Sequence, residues 1–158
     1  MPVTLQFIGD GGSLFGQMIE WMSAGEVCHV DAVVGDNLVG AQMDPCGGCP
    51  SGVYDRPPSY VDGCVRYRVT LPATPEQETE WLAFLRAQYG KPYDRACIAG
   101  FVAGRDWHDP NAWICSELQA AALEAAGIIR PLFAHANKIT PEALLIALSA
   151  LAPVECLP

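Results

Sequence analysis

The sequence is short of basic residues. It has nine lysines and arginines against 18 aspartates and glutamates, which gives a formal net charge of −9 at pH 7 and an isoelectric point near 4.6. Nonspecific binding to nucleic acid and electrostatic docking to anionic lipid both need a basic surface. We therefore expect no nucleic-acid partner and no charge-driven attachment to membranes.

Long hydrophobic runs are missing as well. No apolar segment has the length that a bilayer-spanning helix needs. Residues 1–7 lack the basic region and long apolar core of a signal peptide, so we expect a cytoplasmic protein with no stable membrane insertion. No repeat, low-complexity tract or linker is present, and hydrophobic residues make up 51% of the chain. Residues 1–158 are therefore expected to fold as a single domain with its own core.

The cysteine pattern gives no disulfide framework and no assigned metal site. The count of seven is odd, which is typical of reduced thiols in a cytosolic protein. Cys46 and Cys49 have CxxC spacing, and Cys28 and Cys64 are the nearest further donors for a zinc site. No second CxxC follows, so we assign no metal and no cofactor. Whether Cys46 and Cys49 bind a metal stays open at this stage.

The hydrophobic periodicity predicts an α+β fold, in which a small antiparallel sheet is packed with helices. Alternating or continuous apolar segments predict strands, and capping residues followed by apolar stripes predict helices. The predicted strands are 3–8, 27–34, 38–43 and 64–71. The predicted helices are 13–25, one that begins after Thr74, 96–103, one that begins at Cys115 and ends at Gly127, and one that begins after Thr140 with Leu144, Leu145, Leu148 and Leu151 facing inward.

Cys115 is the candidate nucleophile because it opens a predicted alanine-rich helix. A thiol in the first turn of a helix faces unpaired backbone N–H groups and the positive end of the helix dipole, and both favour the thiolate. The thiolate is the nucleophilic form of cysteine. The alternative is that Cys115 is a small buried hydrophobic residue, the usual position of a free cysteine.

His29 is the candidate base. The strand pattern puts it on one face with Asp31, away from the apolar face, so both side chains are expected to face a polar cleft or solvent. A turn centred on residues 36–37 would bring Gln42 or Asp44 beside the imidazole, where either side chain accepts a hydrogen bond and fixes the tautomer. The alternative is an exposed strand histidine with no chemical role.

The two other histidines lack a predicted neighbour that would orient them. His108 and His135 both fall in predicted loops. A metal site formed by His108 with Asp106 and Asp109 is an alternative, but its ligand spacing is not diagnostic. Glu117 lies two residues after Cys115 and points away from it around the helix, so we interpret it as a first-turn residue that complements the helix dipole.

Four segments in a fixed order resemble the circularly permuted branch of the NlpC-like papain superfamily. They are a histidine strand at 28–34, its hairpin partner at 38–42, Lys-Pro-Tyr-Asp at 91–94, and Cys-Ser-Glu-Leu at 115–118. In that branch the histidine strand precedes the cysteine helix. The resemblance covers residues 8–127 and implies a permuted papain-like fold.

The resemblance also implies a catalytic set with Cys115 as nucleophile, His29 as base and Gln42 as the third, polar member. Related permuted enzymes tend to carry glutamate at the third position. Tyr93, in the Lys-Pro-Tyr-Asp segment, is implied to line the substrate cleft, with a simple packing role as its alternative.

We therefore expect a cysteine hydrolase, a peptidase or amidase, acting on small peptide or amide substrates such as cell-wall peptides. One alternative is an acyltransferase or lipid or thioester hydrolase similar to lecithin:retinol acyltransferase. Another is a non-catalytic binding module on the same fold. A phage origin, the substrate and the oligomeric state all stay open.

Overall fold

The structure, a computed structural model, describes residues 2–9, 17, 19–20, 24–132 and 139–157, with only the backbone described for residues 101–102. The strands are β1 Val3–Ile8, β2 His29–Val34, β3 Asn37–Gln42, β4 Gly52–Arg56, β5 Val65–Leu71 and β6 Val154–Cys156. The helices are α1 Pro75–Ala87, α2 Arg95–Ala103, α3 Cys115–Ala125 and α4 Pro141–Ser149, and a 3-10 helix spans Pro58–Val61.

The strands form one antiparallel sheet in the order β4-β3-β2-β1-β5-β6. β1 lies between β2 and β5, so the first strand of the chain is central, with Val3, Leu5 and Phe7 in the main core. Its register with β2 pairs Ile8 with His29. A bulge between Phe7 and Ile8 shifts the pairing with β5 at the same end of the strand. His29 therefore starts its strand where the regular ladder ends, which leaves room for a cleft.

Helices cover one face of the sheet and bury most of the core. α3 lies across β2 and β3, and its Leu118 and Leu123 are fully buried together with Leu144 and Leu148 of α4. Burying a leucine side chain contributes about 1.5–3 kcal/mol, so this layer is a main source of stability. Gln119 of α3 is buried too, and its amide donates to the carbonyl of Val39 at 2.8 Å. That bond fixes the position of α3 along β3.

A smaller apolar cluster covers part of the opposite face. Ile8, Leu38 and Val61 are its buried members, and Tyr60 packs against them. Val61 and Tyr60 come from the 3-10 helix, which therefore acts as a cover over β2 and β3. The chain reaches this cover through an irregular stretch between Met43 and Cys64, for which no strand or helix was predicted.

The α+β class with an antiparallel sheet is confirmed, and the helix starts predicted after Thr74, at Cys115 and after Thr140 are accurate. Thr74 caps α1 with a complete capping box to Gln77, and Thr140 caps α4. Two short strands, β4 and β6, were not predicted. Leu151 was predicted to face inward, but α4 ends at Ser149 and the leucine is 58% exposed. The helix predicted at 13–25 falls largely on residues outside the described ranges.

Within the described ranges, no helix combines the length and apolar character that a bilayer-spanning segment needs.

Candidate active site

His29 and Cys115 lie near each other, and each is the first residue of its element. His29 opens β2, and Cys115 opens α3. The Cys115 side chain lies near enough to the imidazole to raise the pKa of His29, through its charge and through hydrogen bonding. Both residues are buried, the histidine 8% exposed and the cysteine 3% exposed. The structure thus brings together the two residues that the sequence singled out, although 85 positions separate them along the chain.

The start of α3 is fixed by backbone pairing with the segment around Tyr93. The N–H of Trp113 donates to the carbonyl of Pro92 at 3.1 Å, and the N–H of Asp94 donates to the carbonyl of Trp113 at 3.0 Å. Because Tyr93 lies between these two bonds, its ring is held next to the beginning of α3. Tyr93 is buried and lines the space beside Cys115.

The cap of α3 leaves backbone donors available near the sulfur. Ile114 is the N-cap residue, and its side chain makes no capping hydrogen bond. Glu117 accepts a hydrogen bond from the backbone N–H of Ile114 at 3.4 Å. Its carboxylate therefore satisfies the N–H of the cap residue and not an N–H of the first turn. Helix starts leave their first N–H groups without an intrahelical acceptor. The N–H groups of the first turn therefore favour negative charge on the thiol or on a bound oxygen.

A buried polar network surrounds Nε2 of His29. Oδ1 of Asp31 lies 2.7 Å from Nε2, and Nε2 of Gln42 lies 3.0 Å from the same ring nitrogen. The Tyr60 hydroxyl donates to Oδ2 of Asp31 and accepts from Gln42 Nε2 at 3.1 Å. When Nε2 of His29 is protonated, it donates to the Asp31 carboxylate. The NH2 group of Gln42 then donates to the Tyr60 hydroxyl and makes no hydrogen bond to the ring.

The hairpin register differs from the predicted one. The turn residues are Gly35 and Asp36, and Val34 pairs with Asn37. The turn predicted at residues 36–37, which would pair Gly35 with Leu38, is therefore wrong. Moving a two-residue turn by one position shifts the register by two residues, which keeps every side chain on its predicted face. Continued toward the start of β2, the observed register puts His29 opposite Gln42.

Gly40 makes the contact between Asp31 and His29 possible. In the continued register Gly40 lies opposite Asp31, and a Cβ atom at position 40 would overlap the Oδ1 atom of Asp31. Because glycine has no side chain, the space above position 40 is open, and the Asp31 carboxylate extends into it over β3 toward the imidazole of His29. Asp31 is fully buried as a result, and not exposed to a polar cleft as the strand pattern suggested.

The network stabilises the imidazolium form of His29. Burial disfavours the charged ring, but the charge of Asp31, the charge of Cys115 and hydrogen bonds to both outweigh it and raise the pKa of His29 to about 10. Burial next to Asp31 also raises the pKa of Tyr60, so this hydroxyl stays protonated and remains a donor. At neutral pH the raised pKa keeps the His29 ring charged, next to the Asp31 carboxylate.

A cleft of about 290 Å³ gives access to this network. His29, Gln42, Tyr60 and Tyr93 contribute to its walls. A second, apolar cavity of about 30 Å³ lies beside Cys115. Tyr93 and Cys28 both line the two spaces, so the open cleft and the sulfur pocket are adjacent.

Asp44, the alternative partner for His29, is not in the network. Its side chain is 73% exposed and forms an ion pair with Arg95 at 3.6 Å. Cys46 and Cys49 pair through their backbones in a tight turn, with N–H to carbonyl distances of 3.1 and 3.0 Å. Among the described residues they do not join a third potential ligand in a metal-binding group.

His108 is oriented by the fold, contrary to the prediction. Its Nδ1 atom points at Asp94 and Glu117 and not at Asp106 or Asp109. Burial raises the pKa of Glu117 to about 7, although His108 and the Ile114 N–H both favour its charged form. His135 lies outside the described residues.

Sequence reasoning missed Asp31 and Tyr60 as members of the site. Asp31 was recognised only as a neighbour of His29 on the same strand face, because side chains two residues apart on a strand do not usually touch. The signal that was available is the glycine at position 40, opposite the aspartate. Tyr60 lies in an irregular segment, and no pattern pointed to it.

Comparisons with known proteins show a likeness of fold. No protein-family model matches the sequence, and no curated protein matches it. A solved structure described as metalloprotein yiiX from Escherichia coli O157:H7, DUF1105, is similar with a TM-score of 0.55 and 17% sequence identity. The similarity covers 81% of this chain but only 66% of that one. At this level of identity the likeness concerns the fold alone.

Proposed function

We propose that the protein is a thiol-dependent hydrolase in which Cys115 attacks a carbonyl group and His29 transfers protons. One observation carries the proposal: the buried ring of His29 has the Asp31 carboxylate 2.7 Å from its Nε2 atom, and Cys115 is close enough to raise the pKa of the same ring. A nucleophile, a proton carrier and a residue that orients it are the three parts of a cysteine-hydrolase site. The order of histidine strand and cysteine helix supports the further proposal of a permuted NlpC-like domain.

Asp31 takes the role of the orienting residue in this scheme. Its carboxylate accepts the Nε2 proton and offsets the charge of the imidazolium, which an amide such as Gln42 does not do. With Nε2 directed at Asp31, the other ring nitrogen, Nδ1, is the one that serves the sulfur. Gln42 and Tyr60 act as positioning residues, because their chain of hydrogen bonds holds the carboxylate in place.

The reaction proceeds in two halves. The thiolate of Cys115 forms a bond to the carbonyl carbon, and the oxygen takes the negative charge, which the N–H at the start of α3 stabilises. His29 gives a proton to the leaving nitrogen, the C–N bond breaks, and an acyl-thioester remains on the sulfur. Water then attacks the thioester while His29 takes one proton, and the acid product and the thiolate are released.

The size of the cleft sets the substrate class. A space of about 290 Å³ is near the lower end of small-molecule pockets. It suits a short peptide or a small amide. The wall formed by Tyr60, His29 and Gln42 offers polar groups, whereas the pocket at the sulfur is apolar.

That apolar pocket favours a second candidate, an acyltransferase or lipid or thioester hydrolase that uses the same thiol. Ile98, Ile114 and Pro141 line it. Its volume of about 30 Å³ holds no long acyl chain, so this activity requires either a short acyl group or a wider pocket on binding.

A substrate panel tests the proposal and separates the two activities. The wild-type protein is assayed on dipeptide and tripeptide amides and on short-chain and long-chain acyl thioesters, next to Cys115→Ser and His29→Ala. Hydrolysis of peptide amides that both substitutions abolish supports the first candidate, and hydrolysis or transfer of acyl groups alone supports the second. No turnover on either class, or turnover that survives Cys115→Ser, contradicts a thiol enzyme and favours a binding module.

A further inference from the structure

We infer that Asp94, His108 and Glu117 form a binding site for a divalent metal ion of the zinc type, separate from the cleft. The three side chains come from three segments: the residue before α2, the loop that precedes α3, and the first turn of α3. One ligand atom from each lies within 4.8 Å of the others. None of the three lines the cleft or the pocket beside Cys115.

The distances between the ligand atoms match those around a tetrahedral ion. Nδ1 of His108 lies 3.3 Å from Oδ2 of Asp94 and 3.4 Å from Oε1 of Glu117. Zinc binds nitrogen and oxygen ligands at about 2.0–2.2 Å, and two such bonds at a tetrahedral angle put their ligand atoms about 3.3–3.5 Å apart. Both separations fall in that range, which is also longer than an ordinary charged hydrogen bond.

The nitrogen at the centre of the group makes no hydrogen bond. Nδ1 of His108 is shielded from solvent and has no hydrogen-bond partner, although two carboxylate oxygens flank it. A buried polar atom normally has a hydrogen-bond partner, so the absence of one for Nδ1 of His108 needs an explanation. An imidazole nitrogen directed between two carboxylate oxygens is an arrangement that metal ligands adopt.

Charge favours the same occupant. The side chains of Asp94 and Glu117 are only 1% and 5% exposed. Two buried carboxylates side by side are costly without a compensating cation, and a divalent ion neutralises both. The orientation of the Asp94 carboxylate is already fixed, because it accepts from the backbone N–H groups of Cys97 and Asp109, each at 2.8 Å. Such supporting bonds are typical around metal ligands.

The ion would tie the start of α3 to the two segments that flank it. Glu117 lies in the same helical turn as Cys115, so the ion fixes the turn that carries the sulfur while it remains outside the reaction. This role does not depend on the proposed hydrolase activity.

Zinc binding to the full chain tests the inference. The protein is treated with a chelator and dialysed against Zn²⁺, and the bound metal is counted and examined by X-ray absorption at the zinc edge. We expect one ion per chain with nitrogen and oxygen neighbours at about 2.0–2.2 Å and no sulfur neighbour at about 2.3 Å. His108→Gln should reduce binding at least tenfold, and Asp106→Asn, a change at an exposed position of the same loop, should leave it unchanged.

Glu117→Gln provides a second variant with the same expected loss, in case the histidine substitution disturbs folding. Failure of the wild-type protein to bind zinc would overturn the inference. Binding that persists in both His108→Gln and Glu117→Gln, or a sulfur shell that points to the cysteines, would overturn it as well.

Discussion

Asp31 Oδ1 lies 2.7 Å from His29 Nε2, although the two residues are only two positions apart on the same strand. In a regular strand such neighbours stand side by side and point away from the sheet. Here the carboxylate leans back toward the ring across the space that Gly40 leaves open. One strand therefore supplies both the proton carrier of the proposed mechanism and the residue that orients it.

The first prediction concerns the ionisation of His29. The ring should titrate near pH 10 in the folded protein. Asp31→Asn removes the charge that stabilises the imidazolium but leaves the ring buried, so the pKa of His29 should fall below that of the wild type. Histidine NMR titration measures this directly, and the sequence has only three histidines. Asp36→Asn, on the exposed hairpin turn, is the control. A pKa of about 6.5 in the wild type would contradict the network.

The second prediction tests the space above Gly40. Gly40→Ala should destabilise the protein because the new Cβ atom meets the Asp31 carboxylate. In an Asp31→Ala background the carboxylate is gone. The loss of unfolding free energy caused by Gly40→Ala should then be smaller by about 1 kcal/mol or more. Urea unfolding of the four proteins gives the coupling free energy. Equal costs in both backgrounds would show that Gly40 does not serve Asp31.

The third prediction follows from linkage between protonation and folding. The pKa of His29 is raised from 6.5 in the unfolded chain to about 10 in the fold. The stabilisation that results is fully present below about pH 6.5 and is lost as the pH rises through about 10. The difference in unfolding free energy between wild type and His29→Gln should therefore shrink steadily over that window. A difference that is constant with pH would contradict the assignment.

The fourth prediction concerns Arg56, which supports the floor of the site. The arginine is 1% exposed, and its guanidinium donates to five backbone carbonyls, those of Gly40, Cys46, Pro50, Gly52 and Tyr54. Arg56→Met leaves these buried acceptors without a donor, so we expect a loss of about 3 kcal/mol or more. Arg86→Met, at an exposed position of α1, should change stability by less than about 0.5 kcal/mol. Similar losses for the two variants in urea unfolding would count against this role.

The sequence predicts those parts of the site that depend on local rules. The capping box at Thr74 and the cysteine at a helix start are short-range signals, and the structure has both helices where they were predicted. The face that His29 and Gln42 share was also predicted, since a shift of two residues in register preserves side-chain direction. These features need no knowledge of distant segments.

The remaining parts depend on contacts between segments that are far apart in the chain. The position of the turn determines whether Gln42 or Asp44 lies opposite His29, and the structure has the turn at residues 35–36. A turn at residues 36–37 has a similar composition, so the sequence alone does not distinguish the two. Tyr60 enters through an irregular segment that folds back over the sheet. The group of Asp94, His108 and Glu117 forms only after two loops pack against α3. No local pattern records such long-range packing.

The most direct test of the proposed site is the alkylation of Cys115 by iodoacetamide at about pH 6.5, where an unperturbed thiol is largely protonated and slow. Mass spectrometry follows each cysteine separately, with the exposed Cys156 as an internal reference. The account predicts that Cys115 reacts faster than Cys156 in spite of its burial, and that His29→Ala slows it at least tenfold. If Cys115 reacts no faster than Cys156, or if His29→Ala leaves its rate unchanged, then the sulfur and the imidazole do not form a working pair.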